Sequence, residues 1–178
     1  MSTLKVNSII PVSGVPTGGG GGITQIISAT KTDTFTTTAA ISSPAAVTGL
    51  ACTITPTSTS NKILVIVNIG MATTTNDDYG VRFHLYRGGS QIAGAQGDTS
   101  GNNVRVAFSV RTSKDTRFSA PSMTYLDSPS TTSATTYQLY CSVEPSGGSA
   151  CINRDGDGRD IEEFPRSMST FTVMEVSA

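Results

Sequence analysis

Apolar and polar positions alternate along most of this chain with the two-residue period of a strand, in which successive side chains point to opposite faces. In residues 81–87, Val81, Phe83 and Leu85 take one face and Arg82, His84 and Tyr86 the other. Residues 104–111 repeat the pattern with Val104, Val106, Phe108 and Val110 inward, and residues 137–144 and 47–55 follow it, the latter with Leu50, Cys52 and Ile54 on one face. Residues 23–28, 32–36, 122–127 and 169–176 read as further strands. One run breaks the alternation: Ile63-Leu64-Val65-Ile66-Val67 is continuously apolar, and it predicts a central strand buried on both faces and ended near Gly70.

Turn signals separate these runs. Pro56 closes one, Gly88-Gly89 predicts a hairpin into residues 91–95, Pro145 to Gly148 turns the chain again, and residues 72–78 read as a polar loop. No helical period of useful length interrupts them. Short strands at intervals of roughly 8 to 12 residues predict an all-β fold, an antiparallel β-sandwich that is jelly-roll-like, over residues 23–178. Sheet edges in such a fold need cover, and another copy of the chain is the simplest cover.

Residues 1–22 stand apart. A short apolar patch that includes Val6, Ile9 and Ile10 is interrupted by Pro11, Gly14 and Pro16, and an uninterrupted glycine run, Gly18 to Gly22, follows. This predicts an extended N-terminal arm on a Gly-rich tether. The glycine run is no phosphate loop, because no strand precedes it, no GK[ST] occurs in it and no helix signal follows.

Composition narrows the picture without changing it. A chain of 178 residues with 37% hydrophobic content suits one ordinary core, which at this size buries roughly 70% of the unfolded surface. A net charge of -1 with 14% charged residues provides no field for nucleic acid or an anionic membrane. No segment has the length of a membrane span, and the apolar stretch at the N-terminus is too short for a signal peptide, so synthesis and assembly in the cytosol are expected. Cys52, Cys141 and Cys151 show no CxxC spacing. Small core residues are the expectation, with a Cys141–Cys151 bridge the lesser alternative.

Candidate chemistry is sparse. His84 is the only histidine, it lies on the outward face of its strand, and no nucleophile elbow accompanies it, so a surface or subunit-interface role is expected. Asn153, Asp155, Asp157 and Gly158 match the start of a DxDxDG calcium loop. Phe164 holds the position of the bidentate Glu, however, with Glu162 and Glu163 displaced from it. The reading favoured is a charged loop in which Arg154 and Arg159 pair with the loop's own aspartates. Asn76, Asp77, Asp78 and Tyr79 form a second exposed loop able to touch a sugar or a protein. Arg82, Arg105 and Arg111, outward on Ser- and Thr-rich strands, mark with His84 a candidate subunit boundary.

The opening MSTLKVNSI, the glycine tether, the block ITPTSTSNKILVIVNI from Ile54 to Ile69 and the closing STFTVMEVSA together resemble small virion structural proteins of tailed bacteriophages, of cyanophage and marine-phage type, often labelled tail-fibre-like. The resemblance implies an arm that docks to the particle and a β-sandwich body, commonly a homotrimer, that projects outward. Leu4, Val6, Ile9 and Ile10 would then anchor the chain to other virion proteins by apolar contact or strand addition. The expectation is a non-enzymatic tail fibre or fibre-like adhesin in the virion, with no cofactor and no metal, meeting a host-surface glycan or protein through its loops. The alternative is a capsid decoration, or cement, protein that stabilises the phage head. A polysaccharide depolymerase ranks below both, since no paired carboxylates are recognisable.

Overall fold

The computed structural model describes residues 22–113 and 118–178. The four anchoring candidates, Leu4, Val6, Ile9 and Ile10, lie outside the described residues, as does the rest of the arm up to residue 21.

The chain forms an all-β, antiparallel sandwich. Its strands are β1 (Ile23–Lys31), β2 (Phe35–Thr37), β3 (Ala45–Ile54), β4 (Lys62–Asn68), β5 (Ala72–Thr74), β6 (Tyr79–Arg87), β7 (Ser90–Gln91), β8 (Phe108–Thr112), β9 (Ser122–Asp127), β10 (Thr135–Val143), β11 (Ala150–Ile152) and β12 (Ser169–Val176), with one 3-10 turn at Ala93–Ala95. The first sheet runs β1-β12-β4-β9 and the second β3-β10-β6, with β7 and β8 both on β6. A small third sheet runs β2-β11-β5.

The core fills the space between the first two sheets. Ile63, Val65 and Val67 of β4 and Phe171 and Val173 of β12 are fully buried, as are Leu50 of β3, Leu139 and Cys141 of β10, and Val81, Phe83 and Leu85 of β6. Each is an inward position of its strand, and each large apolar side chain buried there contributes about 1.5–3 kcal/mol. Phe83 stacks on Phe108 with ring centroids 4.6 Å apart, which ties β8 into the same core. All three cysteines are free and buried.

Four sequence expectations are corrected. Strand β4 buries one face, not two, because its outward side chains Leu64 and Ile66 are only half-buried. Leu64 lies in a cross-strand row with Ile26, Met174 and Leu126, and no further layer of the described residues covers that row: Ile26 is 57% and Leu126 52% exposed. Residues 72–74 are strand β5 rather than loop, and Thr73 and Thr74 are buried with both hydroxyls bonded, Thr73 Oγ1 donating to the Ser113 carbonyl at 3.1 Å and Thr74 Oγ1 to that of Asn76 at 2.7 Å. The strand expected over 104–111 begins only at Phe108, and Val104 is 45% exposed. The hairpin partner expected over 91–95 shortens to Ser90–Gln91 before the chain tightens into the 3-10 turn.

Gly70, just past the end of β4, must be glycine for a steric reason. A Cβ at this position would fall on the carbonyl oxygen of Met168, where the chain enters β12. Gly70→Ala is expected to cost about 1–3 kcal/mol in urea denaturation, since backbone rather than a yielding side chain must move.

Candidate functional site

Register gives the sandwich two distinct ends. Strand β1 starts at Ile23, which pairs with Val176, and Val176 pairs with Lys62. Asp127, the last residue of β9, sits opposite Ile63 at this same end. Arg87, the last residue of β6, reaches it from the other sheet: its Nη1 donates to Asp127 Oδ2 at 2.6 Å, and the Tyr137 hydroxyl donates to the same oxygen at 2.6 Å. Burial first, and the Asp127 carboxylate second, push the Tyr137 phenol far up, so it remains a donor.

A second polar cluster closes this end. Glu175, at an inward position of β12, accepts Gln25 Nε2 at 2.5 Å, the Thr57 amide at 2.6 Å, Thr57 Oγ1 at 2.8 Å and Asn61 Nδ2 at 2.6 Å. Burial opposes ionisation of this carboxyl, but the donors prevail and hold it at about 2. The cluster bolts β1 and the 55–61 turn onto β12.

Both loops singled out in the sequence lie at the opposite end. Asn76 and Asp78 are exposed beside the start of β6, and Asp78 adopts a left-handed conformation with φ 62°. The structure brings this loop to two of the three outward arginines through a residue the sequence did not flag, Glu144. Arg111 donates from Nε to Asp78 Oδ1 at 3.1 Å and from Nη1 to Glu144 Oε2 at 3.1 Å, while Arg82 Nη2 stands 3.9 Å from Glu144 Oε1. Asp78 above all, then Glu144, raises the Arg111 guanidinium above its usual range. A shallow cavity of about 220 Å³ opens between these groups, Val104 and Val106. Arg105 stays apart and donates to the Gly97 carbonyl at 2.7 Å.

The loop after β11 turns inward. Asn153, with φ 62°, donates to the carbonyls of Lys31 and Asp33 at 3.0 Å each and accepts Ser169 Oγ at 2.7 Å, three contacts that hold a non-glycine residue in this conformation. Asp155 was expected on the surface, yet it is buried, because Arg159 covers it with a backbone donation to Oδ1 and an Nε donation to Oδ2, both at 3.0 Å. Arg154 caps the carbonyls of Asp155 and Gly156, and the Arg159 guanidinium lies 3.5 Å over the Phe164 ring. Asp157, like Asp160, Glu162 and Glu163 after it, is exposed. The side chains of Asn153 and Asp155, which would have converged on a cation, are bonded to the protein instead, and among the described residues no group of three His, Cys, Asp or Glu side chains is placed to hold a metal.

His84 points to the outer side of β6 as the alternation predicts, but it is 1% exposed rather than a surface residue. Gln91 Nε2 donates to its Nδ1 at 3.2 Å, so the neutral ring carries its proton on Nε2, 2.9 Å from Ser142 Oγ. Burial, and secondarily the Arg82 charge, lower its pKa to about 4. Beside it Tyr86 and Tyr140 stack with centroids 3.8 Å apart.

The inward carboxylates Asp127 and Glu175 have a signature in the sequence. Each occupies an apolar position of an alternating strand, and a carboxylate there requires partners. No protein-family model matches this chain, and no curated protein matches it either.

Proposed function

We propose that this chain is a non-enzymatic structural protein of a phage virion, a tail fibre or fibre-like adhesin. Residues 1–22 dock to neighbouring virion proteins, and a trimeric body presents its far end to the host surface. The observation that supports this reading is the separation of ends: β1 begins beside Val176 and Lys62, whereas the loops at Asn76–Tyr79 and Arg154–Arg159 sit at the other end of the same strands. An anchor and a contact surface at opposite poles allow both to be engaged at once, and several copies would compensate for weak individual contacts. The strand order adds support. Counting only β1, β3, β4, β6, β8, β9, β10 and β12, the sheets read first-eighth-third-sixth and second-seventh-fourth-fifth, the order of a jelly roll.

Deleting residues 1–15 tests the anchoring. The truncated body is expected to fold with an unchanged melting temperature and to be missing from purified particles. Normal incorporation would sink the reading, and a stable monomer in analytical ultracentrifugation would remove the trimer. Binding to empty capsids with a rise in their melting temperature would point instead to a head decoration protein.

A further inference from the structure

A cleft among the described residues lies not at the far end but at the end of the sandwich where β1 starts, between the end of β9 and the turn that follows β7. It holds about 440 Å³ and is lined by Arg87, Gln91, Ile92, Tyr125, Asp127 and Ser128, among others. That volume falls in the lower part of the range of small-molecule sites.

Its floor is polar and fixed. Asp127 Oδ2 already accepts Arg87 Nη1 and the Tyr137 hydroxyl at 2.6 Å each, and Arg87 Nη1 also donates to the Ser128 carbonyl at 3.4 Å. These bonds leave Asp127 Oδ1 as an acceptor and the remaining guanidinium N–H groups as donors. Gln91 spends one of its two amide N–H groups on His84, so the other N–H remains a donor and the carbonyl oxygen an acceptor. Tyr125 contributes a hydroxyl held close against Gly94, where a Cβ would stand 2.6 Å from the phenol oxygen. Two apolar side chains, Ile92 and the 52% exposed Leu126, complete the wall.

We propose that this cleft binds a neutral saccharide. Asp127 Oδ1, the Gln91 amide and the free guanidinium N–H groups set acceptors and donors side by side, as the hydroxyls of a sugar require, and apolar side chains can cover its C–H face. The charges argue against other classes. Arg87 and Asp127 neutralise each other, which removes the drive for an anion, and a wholly apolar ligand would leave the buried carboxylate and its donors without solvent. Lys62, whose Nζ donates to Ser128 Oγ at 2.7 Å, brings a positive charge close to the rim, so the test includes anions. The two sheets are joined directly beneath the cleft by the Arg87–Asp127 pair, so little ordering is needed on binding. The inference stands on the cleft alone and does not depend on the virion reading.

Saturation-transfer NMR on the full chain tests it, with the methyl glycosides of glucose, galactose and mannose, a neutral disaccharide, and N-acetylneuraminic acid and inorganic phosphate as anionic probes. At least one neutral sugar is expected to receive saturation with millimolar affinity. Ala93→Gln, which adds a side chain at the exposed lip, is expected to weaken that binding by about tenfold or more at an unchanged melting temperature. If that variant fails to fold, Gln91→Ala supplies the same comparison. No saturation of any neutral sugar, equal saturation in the variant, or tighter binding of either anion would each overturn the proposal. Particle incorporation is measured separately, so loss of sugar binding leaves the virion reading to be judged on its own experiment.

Discussion

A chain carrying Val65→Asp remains unfolded. Val65 is fully buried, lies between Val173 and Tyr125 in the first sheet, and faces the second sheet across the core. An aspartate there finds no donor and no water, and a buried unpaired charge costs on the order of 5 kcal/mol, as much as the entire stability of many domains. Circular dichroism and urea titration would read the loss directly. The comparison variant is Ile66→Asp, one residue along on the half-buried outer face between Thr172 and Thr124. It is expected to cost about 1 kcal/mol and to fold. Equal effects at the two positions would mean that β4 is buried on both faces after all.

Glu175→Gln is the second large effect, and it has a pH signature. The carboxyl, held at about 2 in the folded chain against an ordinary value of about 4.5, favours folding whenever it is ionised. Its contribution is therefore fully present above the unfolded carboxylate range and is lost as pH falls from about 4.5 toward 2. Glutamine keeps the shape but turns an amide toward donors, so at neutral pH the variant is expected to lose about 3 kcal/mol, the scale of a charged hydrogen-bond network left partly unpaired. Denaturant midpoints measured from pH 7 to pH 2 should converge for the two proteins at the acid end. Parallel curves would show that Glu175 is not the group being titrated.

Alternation along the chain was enough to place the main strands and the sandwich, because residues such as Phe83, Leu139 and Val173 have no other way to leave water. It failed where burial is not hydrophobic. Ala72–Thr74 reads as loop since threonines are polar, yet their hydroxyls bond within the protein and the strand is buried. Ala150–Ile152 is three residues long and follows a glycine pair, too short for any period to register. Conversely, the continuous run of β4 overstated its burial, because Leu64 and Ile66 belong to an apolar row that the described chain leaves largely open.

The candidate site was legible only in pieces. Asp78, Arg82 and Arg111 stand out for their outward positions, but Arg82 joins the Asp78–Arg111 pair only through Glu144, which lies 66 residues beyond Asp78 in sequence and is brought there by the pairing of β10 with β6 and β6 with β8. Arg87 and Asp127 are likewise 40 residues apart, and only the stacking of two sheets joins them. The pairing of Asp155 with Arg159 is legible, since the two are four residues apart in one charged loop, whereas the burial of the carboxylate beneath that arginine is not.

The placement of His84 has one further effect, on how the molecule meets its surroundings. The only imidazole in the protein stays uncharged down to about pH 4, so the side chains lack the step that histidine gives most proteins between pH 5 and 8. Attraction to a partner then answers to ionic strength rather than to mild acidification, and the surface presents the same electrical face in neutral and weakly acidic water alike.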